Sequence, residues 1–196
     1  MNPNAMRKHG PLFSVCRLST FHATSARKLD DGNCPNVPTH ALDAKLQSGS
    51  LQAVDFDAVK SFYYSGNGNV PCSVDAATFE QDGVYLIEFK CGDANQAQLF
   101  RKVYDSVMLL IEHDNYTFKK ARAEVSYIVV SAKLPSWSAL RKSLSRACGF
   151  FKEPWKAYRR QYDHWSLAPL DGIVVQAAYT MPPDMFDYFV KYKRWK

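Results

Sequence analysis

The sequence predicts an α/β (α+β) fold, a mixed β-sheet core flanked by helices with helical and strand additions at its C-terminal end. Three observations lead there. Short apolar runs alternate with longer stretches that repeat every three to four residues. Two of the runs, Ser73–Phe79 and Val84–Lys90, flank Glu80-Gln81-Asp82-Gly83 and read as a hairpin. The order of elements, strand, strand, helix, strand, helix, helix, strand, helix, is that of a layered domain around one sheet.

Residues 1–50 are irregular and polar, with turn clusters such as Asp30-Asp31-Gly32-Asn33 and a short helix expected at Thr39–Gln47. They read as a segment packed on the core or partly flexible, and residues 51–196 as a single domain. Val54–Tyr64 suits a helix or an irregular strand, and Ser65–Asn69 is a loop. After the hairpin, Asp93 and Gln96 have the spacing of a capping box. Leu99, Phe100, Val103, Val107, Leu110 and Ile111 then form a helical stripe that fades near His113. Val125–Val130 reads as a buried strand. Pro135-Ser136 opens a helix with Trp137, Leu140 and Leu144 on one face. Pro154 opens another, with Phe151, Trp155, Tyr158, Tyr162 and Trp165 as its stripe. Ile173–Tyr179 reads as a strand, and Pro182-Pro183 lead into a last helix.

The 196 residues suit one domain. Hydrophobic residues at 46% and charged ones at 22% are ordinary globular usage, and nine glycines with ten prolines exclude collagen-like and low-complexity chains. No apolar run reaches the ~18 residues of a membrane span, and the first residues lack the apolar core of a signal peptide. Five cysteines, an odd number without CxxC spacing, fit reduced thiols in a cytoplasm. The net charge of +6 is unevenly spread. Residues 1–70 carry 7 Lys and Arg against 5 Asp and Glu, residues 71–114 carry 3 against 8, and residues 115–196 carry 15 against 6. An acidic centre followed by a basic segment is what a cation site beside a polyanion-binding surface would look like.

The chemistry concentrates on Asp75, Glu88 and Lys90. Glu and Lys at i and i+2 leave a strand on the same face. With a two-residue Asp82-Gly83 loop, hairpin partners sum to 165 and Asp75 faces Lys90. With a four-residue loop they sum to 163 and Asp75 faces Glu88. Any even loop length keeps Asp75 on the face of both charges, within ~5–8 Å. Two converging carboxylates repel unless a cation neutralises them. Oxygen-only ligands suit Mg²⁺ or Mn²⁺. A neighbouring lysine can position a water or stabilise charge on a phosphorane-like transition state. The kit suits metal-assisted phosphodiester hydrolysis.

This D-x12-E-x-K pattern, carried by Pro71-Cys72-Ser73-Val74-Asp75 and Leu86-Ile87-Glu88-Phe89-Lys90, resembles the PD-(D/E)xK nuclease superfamily. The likeness covers Val70 to about Ser131, with the proline four residues before the Asp rather than adjacent. The resemblance implies a restriction-endonuclease-like core: a helix before a strand meander, then a helix, then another strand. By position it implies that Asp75 and Glu88 hold the metal with the Phe89 carbonyl, and that Lys90 orients the attacking water. An upstream acid would be Asp57 or Asp55, and an auxiliary polar residue on the following helix Gln98 or Lys102. The expected substrate is nucleic acid, DNA ahead of RNA, with Lys156, Arg159 and Arg160 as phosphate contacts and a homodimer as an option. The alternative is a catalytically silent member of the same fold that binds nucleic acid or a protein partner. A third reading is an unrelated domain with a rim ion pair.

Two weaker signals remain. Cys16, His22, Cys34 and His40 supply four zinc-type ligands, but the spacing matches no common finger, so scattered structural residues are the reading preferred. The aromatic stripe at 151–165 fits a helix packed on the sheet better than a base-stacking platform.

Overall fold

A computed structural model describes residues 15–17, 52–64, 70–90, 92–139, 142 and 163–192. It contains a mixed sheet with helices against it. The strands are β1 (Val15–Arg17), β2 (Gln52–Asp55), β3 (Ala76–Glu80), β4 (Gly83–Lys90), β5 (Val125–Ser131) and β6 (Ala177–Met181). They lie in the order β1-β2-β3-β4-β5-β6. The first four form an antiparallel meander. β5 runs parallel to β4, and β6 parallel to β5. The helices are α1 (Phe56–Tyr63), α2 (Gln96–His113), α3 (Phe118–Glu124) and α4 (Pro183–Tyr192). A parallel neighbour needs a crossover, and α2 with α3 supplies the one from β4 to β5.

Alternation along β4 divides the core. Val84 and Leu86 join Val103, Val107 and Leu110 of α2 on one face. Tyr85, Ile87 and Phe89 join Met185, Phe186, Phe189 and Val190 of α4 on the other. Phe89 meets Phe186 edge-on, with ring centroids 5.8 Å apart. Both faces of β4 are therefore covered, as in the interior of an α/β layer.

The hairpin takes the second of the two registers. Glu80 pairs with Gly83 and Ala76 with Ile87, so partners sum to 163 and the turn is Gln81-Asp82. Gly83 has moved from the turn into the strand because only glycine fits there. Its φ is +150°, and a Cβ would lie 2.2 Å from the Glu124 carbonyl oxygen.

Elsewhere the structure corrects several expectations. Val54–Tyr64 is both strand and helix: the chain leaves β2 at Asp55, whose carboxylate caps α1 by accepting from the Ala58 N–H at 2.9 Å. β3 starts at Ala76 rather than Ser73, because Cys72–Val74 hydrogen-bonds to side chains of α1 and α2 instead of to a strand. The cap of α2 is Asn95, which accepts from the Ala97 N–H at 2.8 Å, while Asp93 pairs with Lys133 at 2.8 Å. Helix α3 has no counterpart in the sequence reading: it buries only Ala121 and so carries no apolar stripe. The expected strand at 173–179 starts later, at Ala177. The Leu170 carbonyl accepts from the N–H groups of Ile173, Val174 and Val175, and Gly172 takes φ +67°, winding this stretch into turns. Trp165 is buried but sits in a turn rather than on a helix. The rest of the expected 151–162 helix, Leu140 and Leu144, Thr39–Gln47 and the loop Ser65–Asn69 lie outside the described residues. Among the described residues, no helix is long and apolar enough to cross a membrane.

Candidate active site

The site forms where β4 ends against α2. Glu88 and Lys90 leave the strand on the α2 side, and the Lys90 Nζ lies 2.6 Å from Glu88 Oε1. Asp75, one residue before β3, reaches the same place. Its Oδ2 accepts from the Phe89 N–H at 2.7 Å, a charge-assisted bond that fixes the carboxylate across the hairpin. Even parity therefore holds, and Asp75 converges with both charges.

Lys102 of α2 closes the cluster. Its Nζ lies 2.6 Å from Glu88 Oε1 and 3.6 Å from Asp75 Oδ1. The helix puts Lys102 there because Leu99 and Val103, on either side of it in the apolar stripe, are wholly buried on the sheet.

The segment that presents Asp75 is held by polar residues that the sequence reading passed over. Asp105 Oδ2 accepts from the Cys72 N–H at 2.7 Å, and Ser106 Oγ from the Val74 N–H at 3.0 Å. Ser73 Oγ donates to Asp57 Oδ1 at 2.6 Å. Asp105 and Ser106 follow Lys102 by three and four residues, so one side of α2 carries both the lysine and the anchors of the Asp75 segment. That spacing was the available signal for them.

The cluster is graded from sealed to open. Glu88 is 0% exposed, Asp75 17%, and Lys90 and Lys102 each 24%. Burial pushes the Glu88 carboxyl above its ordinary value and the Asp75 charge adds to this, while Lys102 and Lys90 pull it back. For Lys102 burial acts downward, but the carboxylates of Glu88 and Asp75 outweigh it and the net shift is upward. Glu88 Oε2 has no hydrogen-bond partner among the described residues, and neither does the hydroxyl of Tyr127. Tyr127 sits on β5 opposite Leu86, fully buried, and its hydroxyl is pushed up by burial and then by the Glu88 and Asp75 charges.

Of the sequence-predicted residues, then, Asp75, Glu88, Lys90 and Lys102 come together. Asp57 stands beside them: its Oδ1 also accepts from Lys60 Nζ at 2.7 Å, and its charge reaches Lys102. Asp55 is a helix cap instead. Gln98 is exposed, one helical turn before Lys102. Phe89 contributes its N–H to Asp75, and its side chain faces away into the α4 layer. Lys156, Arg159 and Arg160 lie outside the described residues, as do His22, Cys34, His40 and the side chain of Cys16.

The donor set admits a hard divalent cation in part. Among the described residues, Glu88 Oε2 is buried and without a hydrogen bond, and Asp75 Oδ1 lies 3.6 Å from the Lys102 ammonium. Both are carboxylate oxygens of the kind that Mg²⁺ and Mn²⁺ prefer. Among the described residues, no three His, Cys, Asp or Glu side chains form a ready cage, so waters or a main-chain carbonyl would complete the shell. The chain was compared with family models, with curated proteins and with solved structures, and none of the three comparisons returns a match.

Proposed function

We propose that this chain is a small metal-dependent nuclease that hydrolyses phosphodiester bonds in nucleic acid, related in design to the PD-(D/E)xK enzymes. The observation that carries the reading is the convergence of Asp75, Glu88 and Lys90 at one strand end, with Glu88 sealed and one of its oxygens without a hydrogen bond among the described residues. Supporting it, the antiparallel meander, helix and parallel strand follow the order that the resemblance implies.

Asp75 and Glu88 would hold Mg²⁺ or Mn²⁺, which would polarise the phosphate and lower the pKa of a bound water. The protein's own residues do the rest. The main chain of β4 locks Asp75 through the Phe89 N–H, so the carboxylates are organised before substrate arrives. Burial keeps Glu88 in one orientation. Lys90, partly exposed beside it, offers its ammonium to a water or to a phosphoryl oxygen, where fixed positive charge stabilises the charge that develops. The proposed substrate is nucleic acid, DNA ahead of RNA, with the basic segment 115–196 as the proposed source of phosphate contacts.

A second reading, a catalytically silent module on the same fold, is favoured by one observation: the lysines already neutralise the carboxylates. Glu88 has Lys90 and Lys102, and Asp57 has Lys60. The test is cleavage of single- and double-stranded DNA and RNA with Mg²⁺ or Mn²⁺, with and without EDTA. The nuclease reading expects metal-dependent cleavage that Glu88→Ala abolishes. Wild type and Glu88→Ala behaving alike on every substrate would leave the silent module.

A further inference from the structure

We propose that Lys102 is a built-in counter-cation that a divalent ion must displace before the site can work. The inference rests on the metal-dependent reading above and adds how the site is kept closed. Three observations carry it. The Lys102 Nζ touches both carboxylates, at 2.6 Å and 3.6 Å, and so stands where a shared cation would be held. Among the described residues, Lys90 pairs with Glu88 and with no second carboxylate, so the two lysines are not equivalent. The second oxygen of Glu88, sealed from solvent, has no hydrogen bond among the described residues and leaves the acidic pair with capacity for a further ligand.

The physical consequence is competition. Two carboxylates this close are tolerable in the absence of metal because an ammonium lies between them. A divalent ion between Glu88 and Asp75 takes the Asp75 Oδ1 that Lys102 contacts and sets two positive charges against its ammonium, so Lys102 must withdraw. Its side chain is 24% exposed and long, and it has solvent to withdraw into. Once released, its ammonium lies at the mouth of the site, where a phosphate would be. Metal loading therefore does two things at once: it fills the carboxylate pair and frees a cation toward substrate. Metal affinity is lowered by the strength of the contacts that must break first.

Two measurements test this on the 196-residue chain. Mn²⁺ titration by electron paramagnetic resonance compares wild type with Lys102→Met and Lys90→Met. Lys102→Met should bind Mn²⁺ about tenfold more tightly, on the scale of one charged hydrogen bond, and by more than Lys90→Met does. Equal gains for both variants would mean a general charge effect and overturn the proposal. Should Lys102→Met fail to fold, wild type still decides. Amine-selective reductive methylation, read residue by residue by mass spectrometry, should find Lys102 protected without metal and reactive with Mg²⁺, while Lys60 does not change. Lys102 equally protected in both conditions would refute displacement. The outcomes separate from those of the nuclease reading: cleavage with Lys102 unmoved sinks only the displacement, and displacement without cleavage sinks only the nuclease. Absence of Mn²⁺ binding in every folded variant overturns both.

Discussion

The two faces of strand β4 are built from alternate residues of one eight-residue segment, and they do opposite work. On the α4 side, Tyr85, Ile87 and Phe89 meet Met181, Met185, Phe186 and Phe189, and the contact is apolar along the strand. On the α2 side the strand starts equally apolar, with Val84 and Leu86, and then turns to Glu88 and Lys90. The difference shows how a charged cluster is carried at the end of a fully covered strand. The apolar face anchors the segment, and the opposite face can then bear a buried carboxylate that no isolated strand would hold. The α4 side is apolar along the whole strand, and the α2 side adds a charged cluster to an apolar start.

The strongest challenge to that division is Phe186→Ala. Phe186 is wholly buried against Phe89, and its truncation should cost ~3–5 kcal/mol. Thermal or urea unfolding measures this, and Mn²⁺ binding by the fraction still folded should persist. A variant that loses metal binding while fully folded would show that the faces are not separable.

Lys90→Ala makes the converse cut. Loss of a positioned charge should slow cleavage by roughly a hundredfold. Because Lys102 still neutralises Glu88, the same change should alter stability by less than about 1 kcal/mol. Kinetics and unfolding on one preparation decide the point, and a large stability loss would assign Lys90 a structural role.

A smaller effect sharpens the boundary of the apolar side. The Asp184 carboxylate, on α4, accepts from the Ser136 hydroxyl and from the N–H groups of Trp137 and Ser138, at 2.7, 2.9 and 3.0 Å. It ties the segment after β5 to α4. Asp184→Ala should cost ~1–2 kcal/mol, as for a lost helix cap, with cleavage unchanged. A fall in cleavage at unchanged stability would bring this end of the molecule into the site.

The site was legible in the sequence further than the fold around it. Side-chain alternation is a strict period of two, so Glu88, Lys90 and Asp75 could be placed on one face from parity alone. Parity could not choose the register, because a contact distant in sequence, the close approach of Gly83 to Glu124, set it. Lys102 was named only as a candidate on the following helix. Its role depends on how α2 lies on the sheet, and helix periodicity gives the stripe but not the docking. Asp105 and Ser106 accept from main-chain N–H groups of the irregular segment before β3, and Ser73 on that segment bonds the Asp57 side chain; such segments carry no periodic signal. Helix α3 buries only Ala121 and so shows no apolar period, whereas the late start of β6 comes from the turns around Gly172, which override the local strand propensity.

The proposed nuclease requires that Asp75 and Glu88 together take a divalent ion. Crystals grown with Mn²⁺ and measured for anomalous scattering test it most directly. The expected result is a peak at roughly 2.0–2.3 Å from an oxygen of each carboxylate, with the Lys102 ammonium moved away from Glu88. Crystals in which no peak appears at this pair, and Lys102 still bridges Glu88 and Asp75, would contradict it.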